Sequence, residues 1–121
     1  MTIRDIYDWL CSAPMLEGEK VNLDFLPAGA GWSMSVTSSS ISTDILGTER
    51  LRVQINIIHR YSVSGNADRL AIIDMMDNLR FWAKQNPPDG CRVILAGMSK
   101  PKSKSASGTE DFVLTMRVEE S

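Results

Sequence analysis

The chain has 121 residues, 43% of them apolar and 23% charged. These are globular proportions that exclude wholesale disorder and predict one domain over residues 1–121. Thirteen basic and fifteen acidic side chains, net charge −2, are spread along the chain, which argues against a sequence-specific nucleic-acid module. No apolar run nears the roughly 20 residues of a membrane helix, the opening residues lack a signal core, and Cys11 and Cys91 are too few for a disulfide framework, so a reducing cytoplasm is expected.

In chain order, residues 2–13 read as a helix. Thr2 and Asp5 have the spacing of a capping box, Ile3, Ile6, Tyr7, Leu10 and Cys11 make an apolar stripe, and Pro14 stops it. Trp9 falls off the stripe and is expected to be exposed. Residues 21–25 alternate in polarity as a short extended piece, and Gly29-Ala30-Gly31 breaks the chain. Trp32, Met34 and Val36 alternate with Ser33, Ser35 and Thr37 as a half-buried strand. Residues 38–48, rich in Ser and Thr, read as a partly mobile loop, although Ile41, Ile45 and Leu46 make it less polar than most.

Residues 49–62 carry the clearest strand pattern. Leu51, Val53, Ile55, Ile57 and Tyr61 point one way, and Arg50, Arg52, Gln54, Asn56 and Arg60 the other. A turn at 64–66 leads to a helix reaching about Gln85. Ile72, Met75, Met76, Leu79, Trp82 and Ala83 share its face, widened by Leu70, Ile73 and Phe81, and Pro87-Pro88-Asp89-Gly90 ends it. Two further strands lie at 91–96 and 112–118. Residues 99–109, carrying Lys100, Lys102 and Lys104 among serines, are expected to be a mobile loop. The order predicts an α+β fold: a mainly antiparallel sheet of four to five strands with two helices packed on one face.

The residue inventory argues against catalysis, and no cofactor or metal site is expected. His59 is the sole histidine, lies inside the long strand and has no nucleophile elbow to serve, so a packing role at the core edge is expected. One His and two distant Cys cannot supply a typical zinc set. Asp74 and Asp77 share a helix side and read as a solvated face. Ala28-Gly29-Ala30-Gly31 precedes a strand, not a helix that could hold phosphate. The three lysines read as a solubilising tip, with contact to other subunits or to nucleic acid as the alternatives.

Beyond these physical readings, Cys11-Ser12-Ala13-Pro14-Met15-Leu16 and Val21-Asn22-Leu23-Asp24-Phe25-Leu26 resemble the opening of small virion proteins of long-tailed phages and prophages. So do the long strand at 52–61 and the helix end Leu79-Arg80-Phe81-Trp82-Ala83-Lys84-Gln85-Asn86. These proteins, described as minor capsid or tail proteins, are similar to tail terminators. The resemblance covers most of the chain, but the lysine–serine stretch at 99–109 has no counterpart in it. It implies a mixed α/β subunit that forms a hexameric ring, made in the bacterial cytoplasm and placed in the virion. That ring would cap the tail tube and face the head–tail connector. Its partners would be itself, the tail tube protein and connector proteins, with no membrane. Candidate subunit contacts are Ile41, Ile45, Leu46, Lys100, Lys102 and Lys104. A head–tail joining or minor capsid role is the near alternative. A small enzyme and a ligand-binding or regulatory module are the readings from other classes.

Overall fold

In a computed structural model, which describes residues 1–24, 29–62, 66–98, 102–104 and 108–121, the N-terminal capping signal is realised in full. Thr2 N donates to Asp5 Oδ2 at 2.8 Å and Asp5 N to Thr2 Oγ1 at 3.2 Å, which satisfies two of the free donors at the start of α1 (Ile3–Cys11). Ile6 and Leu10 are fully buried. The helix ends at Cys11, two residues short of the expected span, with Ser12 as its C-cap, and Pro14 opens a 3-10 turn, Pro14–Leu16. Trp9 is half-buried rather than exposed. Its ring stacks on Trp82 with centroids 5.3 Å apart, and its Nε1 donates to the Asn86 carbonyl at 2.6 Å. Residue spacing defines the main stripe of α1 but carries no sign that the end of the second helix covers its flank.

The strands are β1 (Val21–Leu23), β2 (Gly31–Thr43), β3 (Glu49–Ser62), β4 (Cys91–Met98), β5 (Lys102–Lys104) and β6 (Thr109–Glu120), with α2 (Asn66–Gln85) between β3 and β4. They form one six-stranded sheet in the order β1-β2-β3-β6-β4, with β5 also pairing β6. Only β1 and β2 pair in parallel. β6 lies antiparallel to both β3 and β4, so those two run parallel and α2 is the crossover between them. The fold is thus the expected α+β class with six strands rather than four or five.

Two expected loops contain strand. Residues 38–43 continue β2, pairing with β3 from Ser38↔Gln54 to Thr43↔Glu49 beyond a bulge between Val36 and Ser38. Serine and threonine composition suggests a loop, but β3 is long enough to offer a backbone partner to every residue as far as Thr43. Only the turn at 44–48 remains of the expected loop. Within the expected mobile stretch at 99–109, Lys102–Lys104 forms β5, in register with β6 as Lys102↔Asp111 and Lys104↔Thr109. Residues 99–101 and 105–107 lie outside the described residues, as do Phe25 and the Ser64–Gly65 part of the expected turn.

Cross-strand rows build the inner face: Trp32 beside His59 beside Phe112, then Met34, Ile57 and Leu114, then Val36, Ile55 and Met116. Ile6 and Leu10 of α1 and Met76, Leu79 and Ala83 of α2 complete the same buried cluster. The buried stripe of α2 is narrower than its apolar content suggests. Leu70 is 62% and Phe81 51% exposed, because a helix on one sheet buries only the positions directly over it. Phe81 instead carries the Arg80 guanidinium 4.3 Å from its ring centre. The beginning of α2 is tied down through Glu110, which accepts from Arg69 Nε at 2.8 Å and Tyr61 Oη at 3.1 Å.

The Trp9–Trp82 stack joins the two helices directly. A double-mutant cycle with Trp9→Ala and Trp82→Ala in urea unfolding should give a coupling of about 0.5–1.5 kcal/mol. Strictly additive losses would show that the stack contributes only area burial.

Candidate functional site

His59, the sole histidine, is placed for packing. His59 projects from β3 onto the inner face, stacked between Trp32 at 4.0 Å and Tyr61 at 5.5 Å between centroids. Its Nδ1 is buried with no hydrogen-bond partner. Burial pushes its pKa down to about 4, against the opposing effect of a backbone hydrogen bond at Gly31. The ring is therefore neutral near pH 7, wedged between two aromatic rings. No group of three or more His, Cys, Asp or Glu among the described residues could hold a metal ion. Asp74 is exposed, and Asp77 lies 3.5 Å from Arg80. Gly31 opens β2 rather than a helix.

The outer face of the sheet is largely polar, with Ile58, Val113 and Ile94 as apolar exceptions. Ser33, Ser35, Ser38, Ser40 and Ser42 of β2 stand opposite Ile58, Asn56, Gln54, Arg52 and Arg50 of β3. Thr115 Oγ1 donates to Asn56 Oδ1 at 2.7 Å, and Arg60 grips Asp111 with two bonds of 2.7 and 3.0 Å. At the far end three strands bring Arg52, Arg92 and Arg117 to within 2.9–3.0 Å of Glu119. The Nε of Arg117 lies 2.9 Å from Glu119 Oε1 yet makes no hydrogen bond, so this contact is ionic and not directional. Glu119 is buried at 5% exposure beneath arginine side chains rather than in the apolar core. Burial pushes its carboxyl up, but the bond from Arg92 and the charges of Arg52, Arg117 and Arg92 outweigh that and hold it below its ordinary value. Sequence alternation places each arginine on the polar side. Their convergence on one carboxylate depends on register among β3, β6 and β4, which periodicity does not carry.

The third feature is the β2–β3 hairpin. β6 pairs with β3 only from Arg52 onward, so the pairs Ile41↔Leu51, Ser42↔Arg50 and Thr43↔Glu49 form a two-stranded arm beyond β6. At its tip Ile45 is 99% and Leu46 88% exposed, and Ile41 on the arm is 64% exposed. The tip is nonetheless ordered by its own bonds. Leu46 N and Thr48 N both donate to Asp44 Oδ1 at 2.9 Å, Asp44 N donates to Thr48 O at 3.0 Å, and Gly47 takes the positive φ of 83° that the turn needs. A preorganised turn that presents two adjacent aliphatic side chains to water loses little entropy on docking. Burying each of those side chains in a partner is favourable by roughly 1.5–3 kcal/mol.

Of the expected contact residues, Ile41, Ile45 and Leu46 thus come together on one arm. The lysines do not join them. β5, with the backbone of Lys102 and Lys104, pairs with Thr109–Asp111 at the start of β6, while the arm leaves the sheet near Glu119 at its other end. Lys100 lies outside the described residues. No protein-family model and no curated protein matches the chain.

His59 makes a pH signature. Its folded pKa of about 4 lies below the unfolded value of 6.5, so the unfolded chain binds the extra proton first, and the His59 contribution is complete above pH 6.5 and lost as pH falls toward 4. After discounting for partial solvent screening, the loss should be on the order of 2 kcal/mol. Glu110, lowered chiefly by its bond from Arg69, and Glu119 shift from 4.5 downward, so they act below most of this window. Urea unfolding between pH 7 and 4.5 should show a slope that His59→Gln abolishes. An unchanged slope in that variant would assign it to other groups.

Proposed function

We propose that this chain is a virion structural protein of a long-tailed phage or prophage, a tail terminator subunit. In this reading it assembles into a ring that caps the tail tube and joins it to the head. The observation that carries the proposal is the preorganised hairpin arm with Ile45 and Leu46 almost wholly exposed. Adjacent aliphatic residues held out in water by an ordered turn are the mark of a protein contact. The sequence resemblance supplies the kind of assembly. The packed, neutral setting of His59 supports a non-enzymatic role, and the polar, arginine-studded sheet face is suited to meeting other virion proteins. The partners on this reading are further copies of the chain, the tail tube protein and the head–tail connector. No helix among the described residues is long and apolar enough to cross a membrane.

Sedimentation velocity over a concentration series, alone and with tail tube protein, tests the reading. The wild-type chain should self-associate into closed rings, and a strict monomer under both conditions would overturn it. Ile45→Asp should leave the fold and thermal midpoint unchanged, since the side chain touches nothing in the subunit. It should weaken association by on the order of 100-fold or more, because contact would then bury an unpaired carboxylate. In complementation of a phage lacking the gene, Ile45→Asp should fail and His59→Gln should succeed.

A further inference from the structure

An arm that docks needs a receptor. We propose that the Ile45–Leu46 tip of one copy seats in the groove between α1 and β1 of the next copy, so that the subunits associate head to tail. The inference rests on the ring-subunit reading and adds the surface that receives the arm.

The groove is a cavity of about 420 Å³ whose apolar wall is Ile3, Tyr7, Val21 and Leu23. Its two sides are fixed to each other, because Tyr7 Oη donates to the Val21 carbonyl at 2.6 Å. The floor is buried at Val21, while Leu23 stays 51% and Ile3 39% exposed. These two aliphatic side chains are left uncovered in the subunit, as Ile45 and Leu46 are. The polar rims also match. Residues 44–49 of the turn contain Asp44 and Glu49 and no base. Arg50 lies 3.8 Å from Asp44 and leaves Glu49 as the exposed acid. On the groove Arg4 pairs with Asp8 at 3.9 Å, both largely exposed, and Lys20 leaves the lining with one positive charge in excess. An acidic tip facing a basic rim gives the contact its orientation.

Strand geometry then decides how the copies are arranged. Leu23 is in register with Met34 near the start of β2, and the tip follows Thr43 at its end. Nine residues of extended chain separate the two sites by roughly 30 Å. A subunit cannot fill its own groove with its own tip along a rigid paired strand. Two different patches at opposite ends of one element make a heterologous contact, the kind that closes into a ring when the rotation between subunits allows. A tip-to-tip contact would instead be isologous and would stop at a dimer.

A mixing experiment separates these arrangements. The double variant Ile45→Asp with Leu46→Asp keeps its groove but loses its tip, and Leu23→Asp keeps its tip but loses its groove. Ile3→Asp serves as a second groove variant should Leu23→Asp loosen β1, and circular dichroism checks each fold. Each variant alone should sediment as a monomer at concentrations where wild type assembles. An equimolar mixture of one tip variant and one groove variant should form 1:1 dimers and nothing larger, since one intact tip and one intact groove remain per pair. If wild type assembles but the mixture stays monomeric, or if both groove variants assemble as wild type does, the tip-in-groove contact is wrong while the ring reading survives. If wild type never assembles, even with tail tube protein, both fall together.

Discussion

Strand β3 is held along both edges, and most of the molecule follows from that. From Arg52 to Arg60 it pairs with β2 on one side and β6 on the other, so its backbone donors and acceptors are satisfied by neighbouring strands. Val53, Ile55 and Ile57 are fully buried on its inner side. A slip of one residue against either neighbour would turn these three into water and bring Gln54, Asn56 and Ile58 into the core. That penalty fixes the register of the three central strands, and the aromatic row of Trp32, His59 and Phe112 is placed by it. Helices α1 and α2 then need only cover a surface that is already set.

The same register arranges the outer face. With β3, β6 and β4 locked side by side, Arg52, Arg117 and Arg92 can only converge where Glu119 lies. One carboxylate beneath three guanidiniums leaves a local excess of positive charge on a chain whose net charge is −2. Glu119 is buried beneath three arginines, so this is a charge network and not an isolated surface pair.

Length mismatch between strands produces the arm. β2 and β3 pair for several residues past the point where β6 leaves them, and a turn closed by Asp44 stiffens the end. Exposed aliphatic side chains are ordinarily single and scattered. Here two adjacent ones stand on an ordered projection, and half-exposed Leu23 of β1, beside Ile3 of α1, is in register with Met34 near the other end of β2. The arrangement sets the two apolar patches of one subunit too far apart to satisfy each other.

The parts of this protein legible in the sequence are those with a local period or a local punctuation mark. The Thr2–Asp5 capping box, the alternation over residues 49–62, the helix from Asn66 to Gln85 and its stop at Pro87 each express a physical preference within a few neighbouring residues. The α+β class follows from their order. The sequence also marked Ile41, Ile45 and Leu46 as too apolar for their surroundings. It did not show that residues 38–43 are strand, because serine has no strong strand preference and the deciding partner lies across the turn on β3. Nor could it place Trp9 against Trp82 or gather three arginines on Glu119, for those residues meet only through helix packing and strand register. What local spacing determined was which elements form and which faces they bury. What tertiary structure alone decided was which residues from distant elements share a surface, since a contact across strands depends on register, and register is set by the whole buried face.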